Sequence, residues 1–331
     1  MKNKRGNISG KHLVLFFTLT LLWTWICGFI PVVFGFTGTP VGTFLFYFGG
    51  GAPSVVALFL VFLTYSREER KDYFHRCFSF QYMGWKWPLL VICFFSVTTL
   101  VSLFVGVKQL GYQMPGMDFL RAIVDNPLML PLVLLISLIS GPLNEEFGWR
   151  GFALDNLLVR FGFSGASAIL GFIWAIWHWA WYFTPGQAQY NLLQDSLFHA
   201  LMYIPSVVML SYLVTFVYIK TKRSLLAGAL VHMFSNLIRS QLLAPYTTGV
   251  SMMIRYVTMA FSAIVILYAL SSKKFKNDVA EQINCIKKRG KYASGKPQIT
   301  PSGRTGVYHF IGFANTVLLN SPSRIAHECQ T

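Results

Sequence analysis

The chain has 331 residues, of which 54% are hydrophobic and only 12% are charged. Soluble domains carry about 25% charged residues, so this composition excludes an ordinary soluble globule. The 28 Lys and Arg residues outnumber the 12 Asp and Glu residues and give a net charge of +16. These basic residues lie between long apolar runs and form no single basic face, so the charge does not indicate a nucleic-acid partner.

Eight apolar runs are long enough to cross the hydrocarbon core of a bilayer, which takes roughly 20 helical residues. They lie at about 12–35, 43–64, 87–107, 128–157, 164–183, 196–219, 224–243 and 252–271. The sequence therefore predicts an all-α fold, a polytopic membrane helix bundle of about eight transmembrane helices.

Lys and Arg residues are distributed unevenly between the two sides of this bundle. If the N-terminus is inside, the inner segments hold clusters such as those at 2–11, 67–86 and 220–223, whereas the outer loops 36–42 and 184–195 hold none. Because cytoplasmic loops carry the excess of basic residues, both termini are predicted to be cytoplasmic. We expect an integral, multi-pass protein of the plasma membrane.

The composition changes after Ser272, where basic clusters begin a polar segment that contains Gly, Ser and Pro. This segment has too little apolar material for a core of its own. The sequence therefore predicts a membrane domain at 1–271 and a basic, disordered cytoplasmic tail at 272–331.

The fourth apolar run carries three ionisable residues, Glu145, Glu146 and Arg150. An ionisable side chain inside a span costs about 2.5–3.5 kcal/mol, so each one requires an explanation. Glu146 and Arg150 are four residues apart and can pair on one helix face, whereas Glu145 points about 100° away from Glu146. Glu145 is therefore expected to have no cation of its own.

Two later runs carry further polar residues: His178 in the fifth, and His232 with Asn236 in the seventh. His232 and Asn236 are also four apart, so an imidazole and a carboxamide share one face. Counted at 1.5 Å per residue from the cytoplasmic helix ends, these groups and Glu145 lie at similar depths, roughly 12–21 Å. We expect the three helices to present one polar cluster.

Such a cluster supports hydrolysis. A carboxylate without its own cation and a nearby imidazole can remove a proton from water, and a second imidazole with a carboxamide can donate hydrogen bonds to an oxyanion. Alternatively, Glu145, His178 and His232 could bind a divalent metal such as zinc, since two His and one Glu form a known catalytic set. The residues alone do not choose between these possibilities.

The motifs Glu145-Glu146-x-x-x-Arg150, Trp174-x-x-x-His178 and His232-x-x-x-Asn236, in this order, resemble those of the CPBP family. This family comprises type II CAAX prenyl endopeptidases and bacterial relatives, including bacteriocin self-immunity proteins. The resemblance covers about residues 120–245. It implies that Glu145 and His178 activate water, that His232 and Asn236 stabilise the oxyanion, and that the substrate is a peptide or membrane protein. Glu146 and Arg150 would be supporting residues. Both metal-dependent and metal-free mechanisms are compatible with the resemblance.

Two other classes of protein could use the same buried polar groups. A transporter would relay protons or bind an anion with them, and a non-enzymatic immunity or scaffold protein would bind a partner helix. Polar residues spread along a path would favour the transporter, whereas here they cluster. The tryptophans around His178 could also form an interfacial belt with the histidine as a bystander.

Overall fold

The computed structural model describes residues 10–78, 80–237 and 248–293, and all regular structure in these ranges is helical. The helices are α1 (Gly10–Val33), α2 (Pro40–Gly50), α3 (Ala52–Thr64), α4 (Arg67–Phe78), α5 (Lys86–Leu103), α6 (Asp118–Asp125), α7 (Met129–Leu138), α8 (Asn144–Gly148), α9 (Asp155–Trp177), α10 (Ala188–Asp195), α11 (Leu197–Lys220), α12 (Leu225–Leu237), α13 (Thr248–Ser271) and α14 (Lys273–Ala293). Three π-helical segments, Phe104–Gln109, Ile139–Leu143 and Trp149–Leu154, and one 3-10 helix, His178–Phe183, extend α5, α7, α8 and α9.

Membrane-length helices dominate this architecture. Within the described residues, five helical stretches are long and apolar enough to cross a membrane, and the bent pair α2 and α3 makes a sixth. The predicted polytopic helical bundle is thereby confirmed, whereas the number of eight spans and the cytoplasmic termini stay predictions. The seventh predicted span contains α12, which has 13 residues, and residues 238–243 lie outside the described ranges.

One helical stretch, Met129–Phe183, has 55 residues and is too long for a single crossing, because about 20 residues suffice. The chain turns at Gly162, whose φ of +63° and ψ of −170° are readily adopted only by glycine. Trp174, beyond the turn, donates a 2.7 Å hydrogen bond to Glu145, before it. The two arms therefore lie side by side and correspond to the predicted spans 128–157 and 164–183.

The glycine run at 49–51 bends the second predicted span. α2 and α3 meet at an angle of 47°, and the Thr24 hydroxyl of α1 donates to the Gly49 carbonyl at 2.7 Å. A Cβ atom at Gly49 would lie 2.8 Å from the Cβ of Cys27. Glycine is thus required here because α1 and α2 approach too closely for a side chain.

The prediction of disorder from Ser272 onward is wrong for its first part. α14 occupies Lys273–Ala293 and packs on α9, α11, α13 and α4. Its Phe275 is buried against the rings of Phe163 and Phe216, and Asp278 pairs with Lys220 at 2.8 Å. The charged composition concealed an apolar face at helical spacing, which binds the bundle. The tail beyond residue 293 lies outside the described residues.

A buried ionic network ties the charged helix α4 to the bundle. Asp72 accepts from Arg76 at 3.0 Å, and Arg223 contacts Asp155 at 2.9 Å and Asp72 at 3.3 Å. The Tyr218 hydroxyl donates to Asp155 at 2.8 Å and accepts from Arg76 at 2.7 Å. Two cations and two carboxylates compensate each other, which buried charges require. The network fixes α4 beside the start of α9 and the end of α11.

Candidate active site

The first motif lies on α8, a five-residue α-helix with a π-helical segment at each end. A π-turn carries an extra residue, so it rotates the following side chains relative to an uninterrupted α-helix, and such turns are frequent at functional sites. Pro142 lies in the first π-segment and has no backbone N–H to donate. This local geometry turns both Glu145 and Glu146 into the bundle, where they are 6% and 0% exposed.

Glu145 is held by tryptophan N–H groups on one carboxyl oxygen. Its Oε2 accepts from Trp174 Nε1 at 2.7 Å and from Trp149 Nε1 at 3.4 Å. Its Oε1 lies 4.0 Å from Nε2 of His232. The carboxyl group thus faces the bundle interior and one of the predicted imidazoles.

Glu146 connects the first motif to the third. Its Oε1 accepts from Arg150 Nη1 at 2.8 Å, which confirms the predicted pair, and also lies 3.0 Å from His232 Nδ1. Because a carboxylate paired with Arg only accepts, His232 Nδ1 carries a hydrogen and donates it. In the neutral imidazole, Nε2 then bears the lone pair, and this atom faces Glu145.

Asn236 approaches Glu145 above a glycine. A Cβ atom built on Gly141 would lie 3.6 Å from Glu145 Oε1 and 3.9 Å from Asn236 Nδ2. Both polar atoms therefore border one small volume over the Gly141 backbone. Because this position is a glycine, no side chain separates the two polar atoms.

His178 is linked to Glu145 through Trp174. The Nδ1 atom of His178 lies 2.8 Å from the Trp174 carbonyl, while the indole of the same tryptophan donates to Glu145. A carbonyl only accepts, so Nδ1 carries the hydrogen and Nε2 is the basic nitrogen. The ring centroids of Trp174 and His178 are 6.2 Å apart. The second motif thus places its histidine beside the site, with a defined tautomer.

The tryptophans of the second motif belong to the interior. Trp174, Trp177 and Trp181 are 2%, 2% and 5% exposed, and only Trp179 is largely exposed, at 54%. Trp177 Nε1 donates to the Thr24 hydroxyl on α1 at 2.7 Å. An interfacial belt is therefore wrong for three of these four residues, which are instead buried between helices of the bundle.

The hydrogen bonds from Trp149 and Trp174 to Glu145 were not predicted from the sequence. Trp149 follows Glu145 by four residues, and this spacing could have indicated contact on one helix face. The bond between Glu146 and His232 has no such signal, because it joins residues 86 positions apart.

The donor arrangement does not fit a metal site. Among the described residues, no three His, Cys, Asp or Glu side chains come together in a group that could hold a metal ion. Glu145 and His232 approach each other, but His178 does not complete a metal-binding group with them. No step of the reaction is therefore derived through a metal.

The fold and the site define a polytopic helical membrane protein with a buried carboxyl–imidazole–carboxamide site. Residues 127–238 match the family model described as type II CAAX prenyl endopeptidase Rce1-like. This range contains all six predicted site residues.

A curated relative is similar over most of the chain. CAAX prenyl protease 2 of Methanococcus maripaludis (strain DSM 14266) is 25% identical over 256 residues, which cover 77% of this chain and 93% of the relative. The two matches confirm the predicted resemblance to the CPBP family. The family that they indicate is one of CAAX-type intramembrane endopeptidases.

Proposed function

We propose that this protein is an endopeptidase that hydrolyses a peptide bond in or near the membrane, with water activated by Glu145 and His178. His232 and Asn236 stabilise the oxyanion, and Glu146 and Arg150 support the site. The match to the type II CAAX prenyl endopeptidase family supports the reaction class. The geometry of Glu145, His232 and Asn236 supports the assignment of roles.

Water activation depends on the asymmetric surroundings of Glu145. The two tryptophan N–H groups occupy Oε2, so Oε1 is the oxygen that faces the volume above Gly141. Water held there donates a proton to Oε1 while its oxygen attacks the carbonyl carbon. The same proton then passes to the leaving amine nitrogen as the C–N bond breaks. His178, through Nε2, accepts a hydrogen bond from the attacking water and orients it.

Oxyanion stabilisation assigns a protonation state to His232. With Nδ1 donating to Glu146, Nε2 can donate only if the ring is an imidazolium. The Glu146 carboxylate is the counter-charge of the His232 imidazolium, and the same carboxylate also pairs with Arg150. The Asn236 carboxamide supplies a second donor at the same volume. Donors fixed before the reaction cost no reorganisation when the negative charge develops.

The observation that carries this proposal is the buried Glu145 carboxyl, whose Oε1 lies 4.0 Å from His232 Nε2. The neighbouring Glu146, and not Glu145, forms the ion pair with Arg150. The test uses purified protein in liposomes with an internally quenched peptide that ends in a CAAX sequence, with and without a prenyl group on its cysteine. Glu145→Gln should lower the cleavage rate by at least about 100-fold, the scale of a general base. Glu281→Gln, which changes an exposed carboxylate on α14, is the matched control.

Full activity of Glu145→Gln would overturn the assigned role of this carboxylate. If the wild-type protein cleaves no peptide but moves ions across the liposome membrane, the alternative function of a transporter is supported instead.

A further inference from the structure

Trp174 is the residue through which the first two motifs meet. It lies in α9, one turn before His178, and its side chain is only 2% exposed. Its indole Nε1 donates to Glu145 Oε2 at 2.7 Å, and its backbone carbonyl accepts from His178 Nδ1 at 2.8 Å. A single residue therefore contacts both groups to which the activation of water is assigned.

A change of helix type makes the carbonyl of Trp174 available to the imidazole. In an α-helix the backbone N–H of His178 would bond to the carbonyl four residues earlier, which is that of Trp174. Here the chain passes into a 3-10 helix at His178, and this N–H bonds instead to the carbonyls of Ala175 and Ile176. The Trp174 carbonyl accepts from the side chain of His178, and this bond fixes the tautomer of the ring.

The plane of the indole is fixed by two neighbours of the site. The Cζ atom of Arg150, which pairs with Glu146 at 2.8 Å, lies 4.6 Å from the centroid of the Trp174 ring in a cation–π contact. The ring of His232 meets Trp174 edge to face, with centroids 4.9 Å apart and planes at 78°. The indole N–H is therefore aimed at Glu145 by contacts in which Glu145 takes no part.

The direction of this N–H decides which oxygen of Glu145 can act. Rotation of the carboxyl group exchanges Oε1 and Oε2, and a base must be aligned with the proton that it removes. The bond from Trp174 engages Oε2, while Oε1 lies 4.0 Å from His232 Nε2. Trp149 also donates to Oε2, but at 3.4 Å, so its hydrogen bond is the weaker of the two.

We propose that Trp174 is a positioning residue of the reaction, whose indole N–H engages Oε2 of Glu145 so that Oε1 takes the proton from water. The proposal rests on the proposed function and adds to it a residue that acts through Glu145. Loss of the N–H should lower kcat and leave KM almost unchanged, because the orientation of the carboxyl group matters for the attack and not for substrate binding.

The test removes the single N–H group and keeps the ring. Trp174→benzothienylalanine, in which a sulfur atom replaces the indole N–H, is introduced into the full chain at a reassigned stop codon. Its kcat on the quenched peptide in liposomes should fall about 10- to 100-fold, the scale of a hydrogen bond to a charged group. Trp177→benzothienylalanine is the matched control, because Trp177 lies in the same helix, is also 2% exposed and donates to the Thr24 hydroxyl at 2.7 Å. This control should lose comparable thermal stability but keep its kcat.

A conservative variant separates the N–H from the face of the ring. Fluorination of the Trp174 ring keeps the N–H but weakens the cation–π contact with Arg150, because fluorine withdraws electron density from the face. Trp174→fluorotryptophan should therefore keep the wild-type kcat. If Trp174 only supports Arg150, the fluorinated variant instead loses stability and activity while the benzothienylalanine variant stays active, and this result overturns the proposal. Equal loss of kcat in the benzothienylalanine variants at 174 and 177 overturns it as well.

Failure of the proposed function itself is distinguishable from these outcomes. In that case the wild-type protein cleaves no peptide, whereas failure of the positioning role leaves cleavage by the wild-type protein intact.

Discussion

The hydroxyl of Tyr73 donates a 2.8 Å hydrogen bond to the backbone carbonyl of Phe147, the residue directly after Glu146. Tyr73 lies on α4 and is fully buried, and its ring packs against Gly151, where a Cβ atom would lie 2.7 Å from it. The charged helix outside the spans is thereby joined to the helix that carries both site carboxylates. The contact lies two residues before the π-segment Trp149–Leu154, where the regular pattern of backbone hydrogen bonds changes.

Removal of the Tyr73 hydroxyl should lower both the stability of the protein and the precision with which α8 is positioned. Tyr73→Phe leaves the ring in place but deprives the Phe147 carbonyl of its donor, at a cost of about 1–3 kcal/mol. We expect kcat to fall several-fold with little change in KM, measured on the quenched peptide. Unchanged kcat together with a lower unfolding temperature would show that the contact only stabilises the fold.

Removal of one partner of the Glu146–Arg150 pair should destabilise the fold, because it leaves the other charge buried and unpaired. Removal of both partners should cost much less. Glu146→Gln leaves the fully buried Arg150 without its carboxylate and should lower the free energy of unfolding by about 3–5 kcal/mol. Glu146→Leu combined with Arg150→Leu should recover most of that stability. Activity should stay low in both variants, because both remove the carboxylate charge that faces His232 Nδ1. Thermal unfolding and cleavage assays on the same preparations separate the two effects, and an active double variant would contradict the role assigned to Glu146.

Gly141 should be required for catalysis but not for folding. In Gly141→Ala the new methyl group lies at ordinary contact distance from Glu145 Oε1 and Asn236 Nδ2, 3.6 and 3.9 Å, so the fold should tolerate it. The methyl group fills the volume assigned to the attacking water. We expect cleavage to fall about 100-fold, as for loss of a general base, with an unchanged unfolding temperature. Gly50→Ala, which meets nothing within 4 Å, is the matched control, and equal activity of the two variants would exclude the water site.

Cys77 should react with alkylating reagents only at high pH. Burial raises the pKa of its thiol to about 12, whereas an unperturbed cysteine has a pKa of about 8.5. Because the thiolate is the reactive form, labelling by iodoacetamide should rise about tenfold per pH unit up to pH 10 without levelling off. The measurement needs a variant in which the other cysteines are replaced by serine. A cysteine introduced by Glu281→Cys should level off above pH 9, and the same profile at Cys77 would show that α4 detaches.

Much of the site follows from local sequence spacing. The pair of Glu146 with Arg150 is an i, i+4 contact within one helical region, and the common face of His232 and Asn236 follows from the same rule.

Local rules failed where packing against other helices decided the outcome. Disorder after Ser272 is predicted because the segment has too little apolar material for a core of its own, yet Phe275 packs α14 against the bundle. The tryptophans around His178 were compatible with an interfacial belt, yet Trp174 is buried and donates to Glu145. The composition of a segment shows how many apolar residues it has, but not which neighbouring helices those residues pack against.

The sequence by itself determined that the chain forms a membrane helix bundle and which polar residues must be accommodated inside it, because both follow from the cost of placing charge in hydrocarbon. Tertiary structure alone decided which partners on other helices these residues meet. Glu146 contacts His232 as well as Arg150, while Glu145 accepts from Trp174 and faces the imidazole. The contacts with His232 and Trp174 join segments that are far apart in the chain. Their geometry depends on the turn at Gly162 and on the two π-segments around α8, which no periodicity in the sequence encodes.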